Sequence, residues 1–255
     1  MNALEIKNLT KAYPGFKLDD LSLTLPSGCI MGLVGENGAG KSTTIKLILD
    51  MIRKDSGSIT ILGKENEKHI ELIKEDVGVV MDEVGIPECL TARQVGKVMK
   101  HTFQNWDEAQ YASLLQKLSL PESKAFKELS RGMKMKLGIA IALSHKAKLL
   151  ILDEATSSVD TETEQIIQDT IEHVMKGRTS FVVAHRLSTI VNADKILVIK
   201  NGVVTEQGTH DELMELKGYY YRLYTNQFNE KLEAEILGVR EEKQEEELPD
   251  YESED

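Results

Sequence analysis

The chain has 255 residues, enough for one large domain or for one domain with a subdomain, and 41% of the residues are hydrophobic. No apolar run approaches the roughly 18 residues that a membrane-spanning helix needs, and the first residues carry no apolar segment with a cleavage site. The two cysteines, Cys29 and Cys89, are isolated and suggest neither a metal-binding pair nor a disulfide framework. We therefore expect a cytosolic protein rather than a membrane-spanning, exported or disulfide-rich one.

The charge of the chain is concentrated at its end. Residues 229–255 contain twelve acidic and three basic residues, a net charge of −9 within a total of −11. This composition predicts an acidic, disordered tail. The remaining body is nearly neutral, which argues against nucleic-acid binding because phosphate backbones attract basic patches.

The first third of the chain predicts strands and one helix. In ALEIKNL and KLDDLSLTL every second residue is apolar, as in half-buried strands, and CIMGLV is a continuous apolar run typical of a buried strand. A glycine-rich turn follows, and then STTIKLILDMI has helical apolar spacing. Two further strands are predicted at SITIL and VGVVM.

The rest of the chain is first helical and then mixed. Helical patterns cover TARQVGKVMKHTF, DEAQYASLLQKL and the segment after Ser130, and strand patterns return at KLLILD, TSFVVAH and KILVIKNGVVTE. Asn201-Gly202 suits a tight hairpin turn within the last of these. This order predicts an α/β core with a helical insertion at about residues 86–145.

The segment GENGAGKS, Gly35 to Ser42, has the spacing of a phosphate-binding loop between a strand and a helix. Gly38 and Gly40 allow backbone amides to face phosphate oxygens without an obstructing Cβ atom. Lys41 supplies a positive charge for the β- and γ-phosphates, and Ser42 offers a hydroxyl to Mg²⁺. The pattern predicts a nucleotide site.

The segment LLILDE is an apolar strand that ends in two carboxylates, Asp153 and Glu154. Downstream of a phosphate loop, Asp153 suits Mg²⁺, and Glu154 suits a residue that orients or deprotonates an attacking water. Ordinary solvated acids at a strand end are the alternative.

The short segment LSRGM has two interpretations. Ser130 could simply cap the helix that follows, because a serine hydroxyl readily accepts a hydrogen bond from a free amide at a helix start. Alternatively, Ser130 and the Gly132 amide could form an anion site at the helix N-terminus.

Five motifs, GENGAGKST, LSRGM, LLILDE, SSVD and the strand-ending His185, occur in the order and spacing of an ABC-type ATPase domain. The chain resembles this family over about residues 2–228. The resemblance implies a P-loop NTPase core of the α/β class, with an antiparallel β subdomain and the inserted helical subdomain. It also implies ATP and Mg²⁺ as cofactors.

The resemblance assigns a role to each matching residue. Glu154 and His185 are the implied catalytic residues, His185 as the switch residue that contacts the γ-phosphate. Tyr13 matches the aromatic residue that stacks on adenine, with an ordinary strand-end tyrosine as the alternative. The implied metal ligands are Ser42, Asp82 and Asp153. The implied nucleotide-binding residues are Tyr13, Gly35, Glu36, Asn37, Gly38, Ala39, Gly40, Lys41, Ser42, Thr43, Ser130, Gly132 and Asp160, the last within the loop 157–160 that communicates between partners.

The chain departs from the family pattern at two places. Asp82, with Glu83 beside it, stands where the family usually has glutamine. A carboxylate there could still reach Mg²⁺ or its water, but it alters the local charge. Arg131 and Met133 replace the residues of the usual LSGGQ, whereas the serine hydroxyl and the second glycine remain.

The two halves resemble different branches of the family. Up to Glu154 the chain looks like ATPases that serve separately encoded permeases, and from Ala155 it looks like exporters with a fused ATPase. We favour a mosaic, natural or engineered, joined near the LDE at residues 152–154, over divergence within one lineage.

The resemblance implies the ATP-hydrolysing subunit of an ABC transporter, with export as its activity. Its implied partners are a second ABC ATPase domain, in a homodimer or heterodimer, and transmembrane permease subunits, which place it on the cytoplasmic face of the cell membrane. A non-transport ABC ATPase acting on ribosomes or DNA is the alternative, but the chain lacks its tandem domains, coiled-coil insertion and basic patch. A stand-alone small-molecule kinase shares the phosphate-binding loop, but its reaction does not require the LSRGM segment or His185.

Overall fold

The computed structural model of the protein describes residues 1–81, 85–153, 170–171, 174–184 and 186–229. The described part contains two β-sheets, one antiparallel and one mainly parallel, with helices packed around them. Among these residues, no helix is long and apolar enough to cross a membrane.

The antiparallel sheet has four strands in the order β2-β1-β4-β5. Its long hairpin turns between Tyr13 and Phe16, which face each other in the register. In the predicted segments ALEIKNL and KLDDLSLTL the apolar residues are buried and their polar neighbours are mostly exposed, although register shifts in β1 interrupt the strict alternation. The strands are β1 (Asn2–Tyr13), β2 (Phe16–Pro26), β4 (Ser56–Ile61) and β5 (Lys64–Glu65).

The second sheet has six strands in the order β10-β9-β3-β8-β7-β6. The five strands from β9 to β6 run parallel, and β10 pairs antiparallel with β9 at one edge. The strands are β3 (Ile30–Val34), β6 (Val77–Val80), β7 (Leu149–Asp153), β8 (Thr179–Val183), β9 (Lys195–Lys200) and β10 (Val203–Gly208).

The helices differ in their packing partners. The first two pack with the sheets. The next three and a 3₁₀ turn (Phe126–Glu128) share a separate apolar cluster, and the last of these helices also packs against the parallel sheet. A second 3₁₀ turn (Leu187–Ile190) follows β8, and residues 219–229 are helical. The α-helices before that segment are α1 (Lys41–Ile48), α2 (Asn66–Asp76), α3 (Ala92–Thr102), α4 (Glu108–Lys117), α5 (Arg131–Ser144) and a short helix His210–Leu216.

The register of the parallel strands aligns their carboxyl ends. Leu33 of β3 pairs with Val183 of β8, and Val183 in turn pairs with Asp153 of β7. The loop that follows β3 and the carboxylate that ends β7 therefore lie at one edge of the sheet, separated by a single strand. In open α/β sheets this edge is where ligands bind.

Two helices differ from the sequence-based expectation. The predicted helical segment STTIKLILDMI continues past the point where α1 ends, because Asp50 adopts a left-handed conformation with φ of 54°. The amides of Asp50 and Met51 donate to the Leu47 and Lys46 carbonyls, which closes the helix end. Helix α2 was not predicted at all; it bends at His69 (φ −132°, ψ 22°) and buries few apolar residues.

The predicted hairpin turn is present. Val203 pairs with Lys200, so β9 and β10 are joined by the two residues Asn201 and Gly202. Both have positive φ, 50° and 80°, as a type I′ turn requires.

Candidate nucleotide-binding site

The loop Gly35–Ser42 leaves β3 and enters α1, and its backbone geometry depends on glycine. Gly40 precedes the helix at φ 114°, in the left-handed region, and a Cβ atom there would lie 3.0 Å from the Phe16 ring. A Cβ atom at Gly35 would lie 2.2 Å from the Ile199 carbonyl oxygen. The loop is thus closely packed against β2 on one side and β9 on the other, and larger residues at these two positions would displace it.

The loop residues divide by exposure. Ala39, Gly40 and Lys41 are buried, and Gly35 and Thr43 are half-buried. The exposed residues of the loop are Glu36, Asn37, Gly38 and Ser42.

Lys41 lies folded over the loop. Its Nζ donates to the carbonyl oxygens of Gly35 (2.6 Å) and Glu36 (3.1 Å), and only 6% of the residue is exposed. Burial lowers the pKa of Lys41, and the negative charge of Asp153 partly opposes that shift. Lys41 and Asp153 therefore interact electrostatically at the sheet edge where β3 and β7 both end.

Asp153 is the last residue of β7 and is 8% exposed. A carboxylate is rarely buried without a cation or hydrogen-bond donors to stabilise it. Its negative charge acts on the ammonium group of Lys41 and stabilises the charged form of that lysine. Oxygen donors of this kind are the ligands that Mg²⁺ prefers.

Tyr13 ends β1 and is 42% exposed. The Nζ atom of Lys11 stands 5.4 Å from the centre of its ring, within the range of a cation–π contact. Asp55 holds that lysine in an ion pair of 2.9 Å and accepts a hydrogen bond from the Ala12 amide at 2.7 Å. Through Phe16, which faces Tyr13 across the turn and packs on Gly40, the hairpin also contacts the loop.

The β9–β10 hairpin supports the loop from the other side. The amide of Gly202, in the hairpin turn, donates to the Ala39 carbonyl at 3.0 Å. A Cβ atom at Gly202 would lie 1.8 Å from the Lys17 carbonyl oxygen, so the turn also fits tightly against β2. The loop is therefore held between two hairpins as well as by its own strand and helix.

The segment LSRGM occupies the start of α5. Ser130 is the N-cap, and its hydroxyl accepts a hydrogen bond from the Met133 amide at 3.3 Å, which confirms the capping interpretation. Ser130 is exposed and Gly132 is buried in the first turn. The structure thus brings the loop, Lys41 and Asp153 to one sheet edge, and it places Ser130 and Gly132 at the start of a different helix.

Several predicted site residues lie outside the described residues. They are Asp82, which follows β6 by two positions, together with Glu154, Asp160 and His185. Their roles remain predictions, as does the acidic tail beyond Asn229.

The structure adds residues near the site that the sequence patterns did not indicate. Lys11 beside Tyr13 is one, and Phe16 against Gly40 is another. The third is Tyr219, whose ring centre lies 4.5 Å from Nζ of Lys200 in the β9–β10 hairpin that supports the loop. A cluster of aromatic residues, KGYYYRLY, marks that segment in the sequence, but nothing local connects it with the loop.

The arrangement fits a bound nucleoside triphosphate with its metal. The loop begins a helix, which directs free amides at an anion, and Gly38 lies at φ 82° with open space beside it. The buried ammonium group supplies positive charge, and Asp153 and Ser42 supply oxygen donors.

Comparison with known proteins agrees with this geometry. The sequence model of the ABC transporter family matches residues 18–157. The chain is 39% identical over 236 residues to the ATP-dependent lipid A-core flippase of Pseudomonas fluorescens (strain Pf0-1), an alignment that covers 86% of this chain. It spans only 39% of the length of that relative.

Solved structures share the fold. The ATP-binding subunit of an ABC transporter aligns with a TM-score of 0.75 and 26% identity, covering 88% of this chain and 98% of that one. A bacterial Atm1-family ABC exporter with ATP bound aligns with a TM-score of 0.74 and 28% identity, covering 88% of this chain and 42% of that one.

These matches confirm the resemblance to the family and the predicted fold class, a mixed α/β core with an antiparallel sheet and inserted helices. They also confirm that ATP is the nucleotide of this family. The chain is an ATP-binding ATPase domain of the ABC transporter family.

Proposed function

We propose that this domain binds ATP in the loop Gly35–Ser42 and that its hydrolysis powers export across a membrane. The observation that carries the proposal is the alignment at one sheet edge: the buried ammonium group of Lys41 lies over the loop, within the electrostatic influence of Asp153. A charged pair buried at the ligand-binding edge of an α/β sheet is poorly explained as packing alone.

In this proposal the loop binds the phosphates and the β1–β2 hairpin binds the base. The loop amides and Lys41 contact the β- and γ-phosphates. The remaining residues up to Thr43 complete the phosphate-binding segment Gly35–Thr43. The exposed ring of Tyr13 stacks on adenine. Lys11, which forms an ion pair with Asp55, adds a positive charge beside that ring.

The residues that would hold Mg²⁺ are Ser42, Asp153 and Asp82. An ion held by these residues would neutralise part of the phosphate charge. Buried Asp153 supplies a fixed oxygen, whereas Ser42 is exposed at the start of α1. A third ligand at Asp82 would make this site more negative than one with the usual glutamine.

Glu154 and His185 are the proposed catalytic residues. Glu154 follows the strand-ending Asp153 and orients or deprotonates the attacking water. His185 follows β8, the strand between β3 and β7, and donates to the γ-phosphate. Both roles rest on the family resemblance and on the position of the preceding strand at the same sheet edge.

The proposed partners are a second ABC ATPase domain and transmembrane permease domains. Ser130, Gly132 and Asp160 face the ATP of the second domain, and the membrane domains select the cargo. Exporters among the relatives and structural neighbours support this assignment over action on ribosomes or DNA. The domain then acts at the cytoplasmic face of the membrane.

The test measures phosphate release and ATP binding in three variants. Lys41→Ala should abolish detectable hydrolysis and weaken ATP binding, because the phosphates lose their buried cation. Glu154→Gln should lower hydrolysis by about 10²-fold or more while ATP still binds. Lys46→Ala is the matched control, because that lysine is exposed on the same helix as Lys41. Equal hydrolysis by the Lys41 variant and the control would reject the proposed site.

A further inference from the structure

Asp55, the residue just before β4, continues the contact of that strand with β1. The last partners of the two strands are Thr10 and Ser56. The Asp55 amide donates to the Thr10 carbonyl at 2.9 Å, and its carboxylate accepts from the Ala12 amide at 2.7 Å. On its other side, Ala12 pairs with Lys17 of β2. The Asp55 side chain therefore takes the place of a strand residue beside the last part of β1.

The same carboxylate also binds Lys11. The Nζ atom of Lys11 donates to Oδ1 of Asp55 at 2.9 Å, whereas Oδ2 is the acceptor for the Ala12 amide. Only 18% of the Lys11 side chain is exposed, compared with 43% of the Asp55 side chain. An exposed ion pair contributes little by itself, but here one carboxylate joins a backbone amide to a lysine that is mostly shielded from water. Asp55 thus fixes the two residues that precede Tyr13.

Lys11 and Tyr13 lie on the same side of β1. The pairing with β2 is regular from Lys11 to Tyr13, and residues two positions apart on a regular strand share a face. The Nζ atom of Lys11 stands over the Tyr13 ring, 5.4 Å from its centre. The ammonium group therefore occupies one face of the ring, and a stacked base would have to use the opposite face.

A second ion pair on the same hairpin provides a contrast. The Nζ atom of Lys17 also stands 2.9 Å from a carboxylate, that of Asp19, but the two side chains are about half exposed, 52% and 47%. Among the described residues, the Asp19 carboxylate accepts from no backbone amide and Lys17 stands over no aromatic ring. The Asp55 pair is thus part of the end of β1, whereas the Asp19 pair is a surface contact.

We propose that Asp55 is a positioning residue for the adenine base: its carboxylate holds the Lys11 ammonium group over one face of the Tyr13 ring and fixes the end of β1, so that the opposite face is presented to the base. The inference rests on the proposed function, because it requires Tyr13 to stack on adenine. A ring that is held in place before ATP binds loses less conformational freedom on binding, which favours affinity.

The test measures the Kd for ATP and for inorganic tripolyphosphate, each with Mg²⁺, in the whole chain. Tripolyphosphate has the phosphates of ATP but no base. Asp55→Ala removes both carboxylate contacts and should raise the Kd for ATP by about tenfold. Asp55→Asn keeps an oxygen for the Ala12 amide but loses the ion pair, so it should raise that Kd by only about threefold. Both variants should bind tripolyphosphate as wild type does.

Two controls separate positioning of the base from a general defect. Asp19→Asn breaks the other ion pair of the hairpin and should change neither Kd. In a Tyr13→Ala background, Asp55→Ala should raise the Kd for ATP less than about twofold, because no ring remains to be positioned. Asp55→Asn is nearly isosteric with wild type, so it decides the question if Asp55→Ala does not fold.

The outcomes distinguish this inference from the proposed function. If Lys41→Ala weakens binding of both ligands but the Asp55 variants behave like Asp19→Asn, the inference is wrong and the nucleotide site stands. If an Asp55 variant weakens tripolyphosphate as much as ATP, or if the effect keeps its full size with Tyr13→Ala, Asp55 does not act through the base and the inference is also wrong. If Lys41→Ala binds both ligands as well as wild type does, the proposed site and the inference both fail.

Discussion

His145 is a residue whose buried position has a consequence for stability. It is 2% exposed, its Nδ1–H donates to the Glu75 carbonyl at 3.1 Å, and its ring stacks on Phe103 at 4.0 Å between centres. It connects the end of α5 with the end of α2 and with the chain after α3. Burial lowers the pKa of His145, although Glu75 and Asp76 oppose the shift.

This lowered pKa predicts acid destabilisation. The unfolded chain takes up a proton near the usual pKa of 6.5, whereas the folded chain does not until a lower pH. Stability is therefore complete above that value and is lost as pH falls through it, by at most about 1.4 kcal/mol per pH unit for one proton. Thermal unfolding between pH 7.5 and 5.5 should show a smaller loss in His145→Gln than in wild type.

The control for this prediction is His101→Gln, because His101 is exposed near the end of α3. It should keep the full wild-type dependence on pH. A His145→Gln variant with the same pH profile as wild type would show that this histidine is not the group that titrates.

At the residue scale, prediction from sequence succeeded where the determinant is local. Gly35–Ser42 forms the loop because closely spaced glycines and the helix start determine its path, and the Ser130 hydroxyl caps α5 by accepting from an amide three residues away. The contact of Tyr219 with Lys200 and the support that Gly202 gives to the loop could not be predicted in this way. Both depend on the tight packing of the β9–β10 hairpin, which joins residues that are far apart in sequence.

At the scale of elements, helices α3 and α4 pack through a glycine. A Cβ atom at Gly96 would lie 2.5 Å from Cε1 of Tyr111, whose hydroxyl donates to the Ala92 carbonyl at 2.8 Å. The tyrosine is buried in the apolar cluster of the helical part. The ring therefore has little freedom to move away.

Gly96→Ala should destabilise the fold although alanine is the better helix former. The clash with the Tyr111 ring costs about 1–3 kcal/mol. Replacing glycine by alanine in a helix gains at most about 1 kcal/mol, so we expect the clash to outweigh it. Chemical denaturation should report a lower free energy of unfolding. Gly85→Ala, where a Cβ atom meets nothing within 4 Å, is the control and should change it by less than about 0.5 kcal/mol. A more stable Gly96 variant would mean that the two helices separate easily.

The sequence patterns missed one helix and one helix end, each for a different physical reason. Helix α2 buries Asn66 and Ile73 and bends at His69, so its apolar residues do not form the regular stripe that a pattern can detect. The end of α1 depends on the conformation of Asp50, and the apolar residues beyond it still look helical in sequence. Strong amphipathic segments such as α3 were predicted because one face is continuous.

At the scale of the whole molecule, the order of strands in the parallel sheet determines which loops and side chains meet at the nucleotide site. Strand β8 lies between β3 and β7 although it follows both in the chain, an arrangement that local patterns do not determine. The fold class was nevertheless predictable, because five motifs in a fixed order resemble one family. The mosaic origin of the two halves, the limits of the helical subdomain and the disorder of the acidic tail remain predictions.

In the proposed function, one domain alone cannot form a complete ATP site. Ser130 caps α5 and Lys41 starts α1, on two separate helices, and in the proposed function the first contacts ATP held by the partner's loop. The anion bound by LSRGM then belongs to a second chain. In the proposed function, closure of a dimer would bring the two motifs together around ATP, and loss of the γ-phosphate would separate them.

The most direct test mixes two inactive variants, Lys41→Ala and Ser130→Arg, and measures ATP hydrolysis. A mixed dimer contains one site with both defects and one intact site, formed by the sound loop of one chain and the sound LSRGM of the other. We expect the mixture to hydrolyse ATP at a rate clearly above the sum of the separate variants. No recovery, in a sample where mixed dimers are shown to form, would contradict the claim that two chains share each ATP.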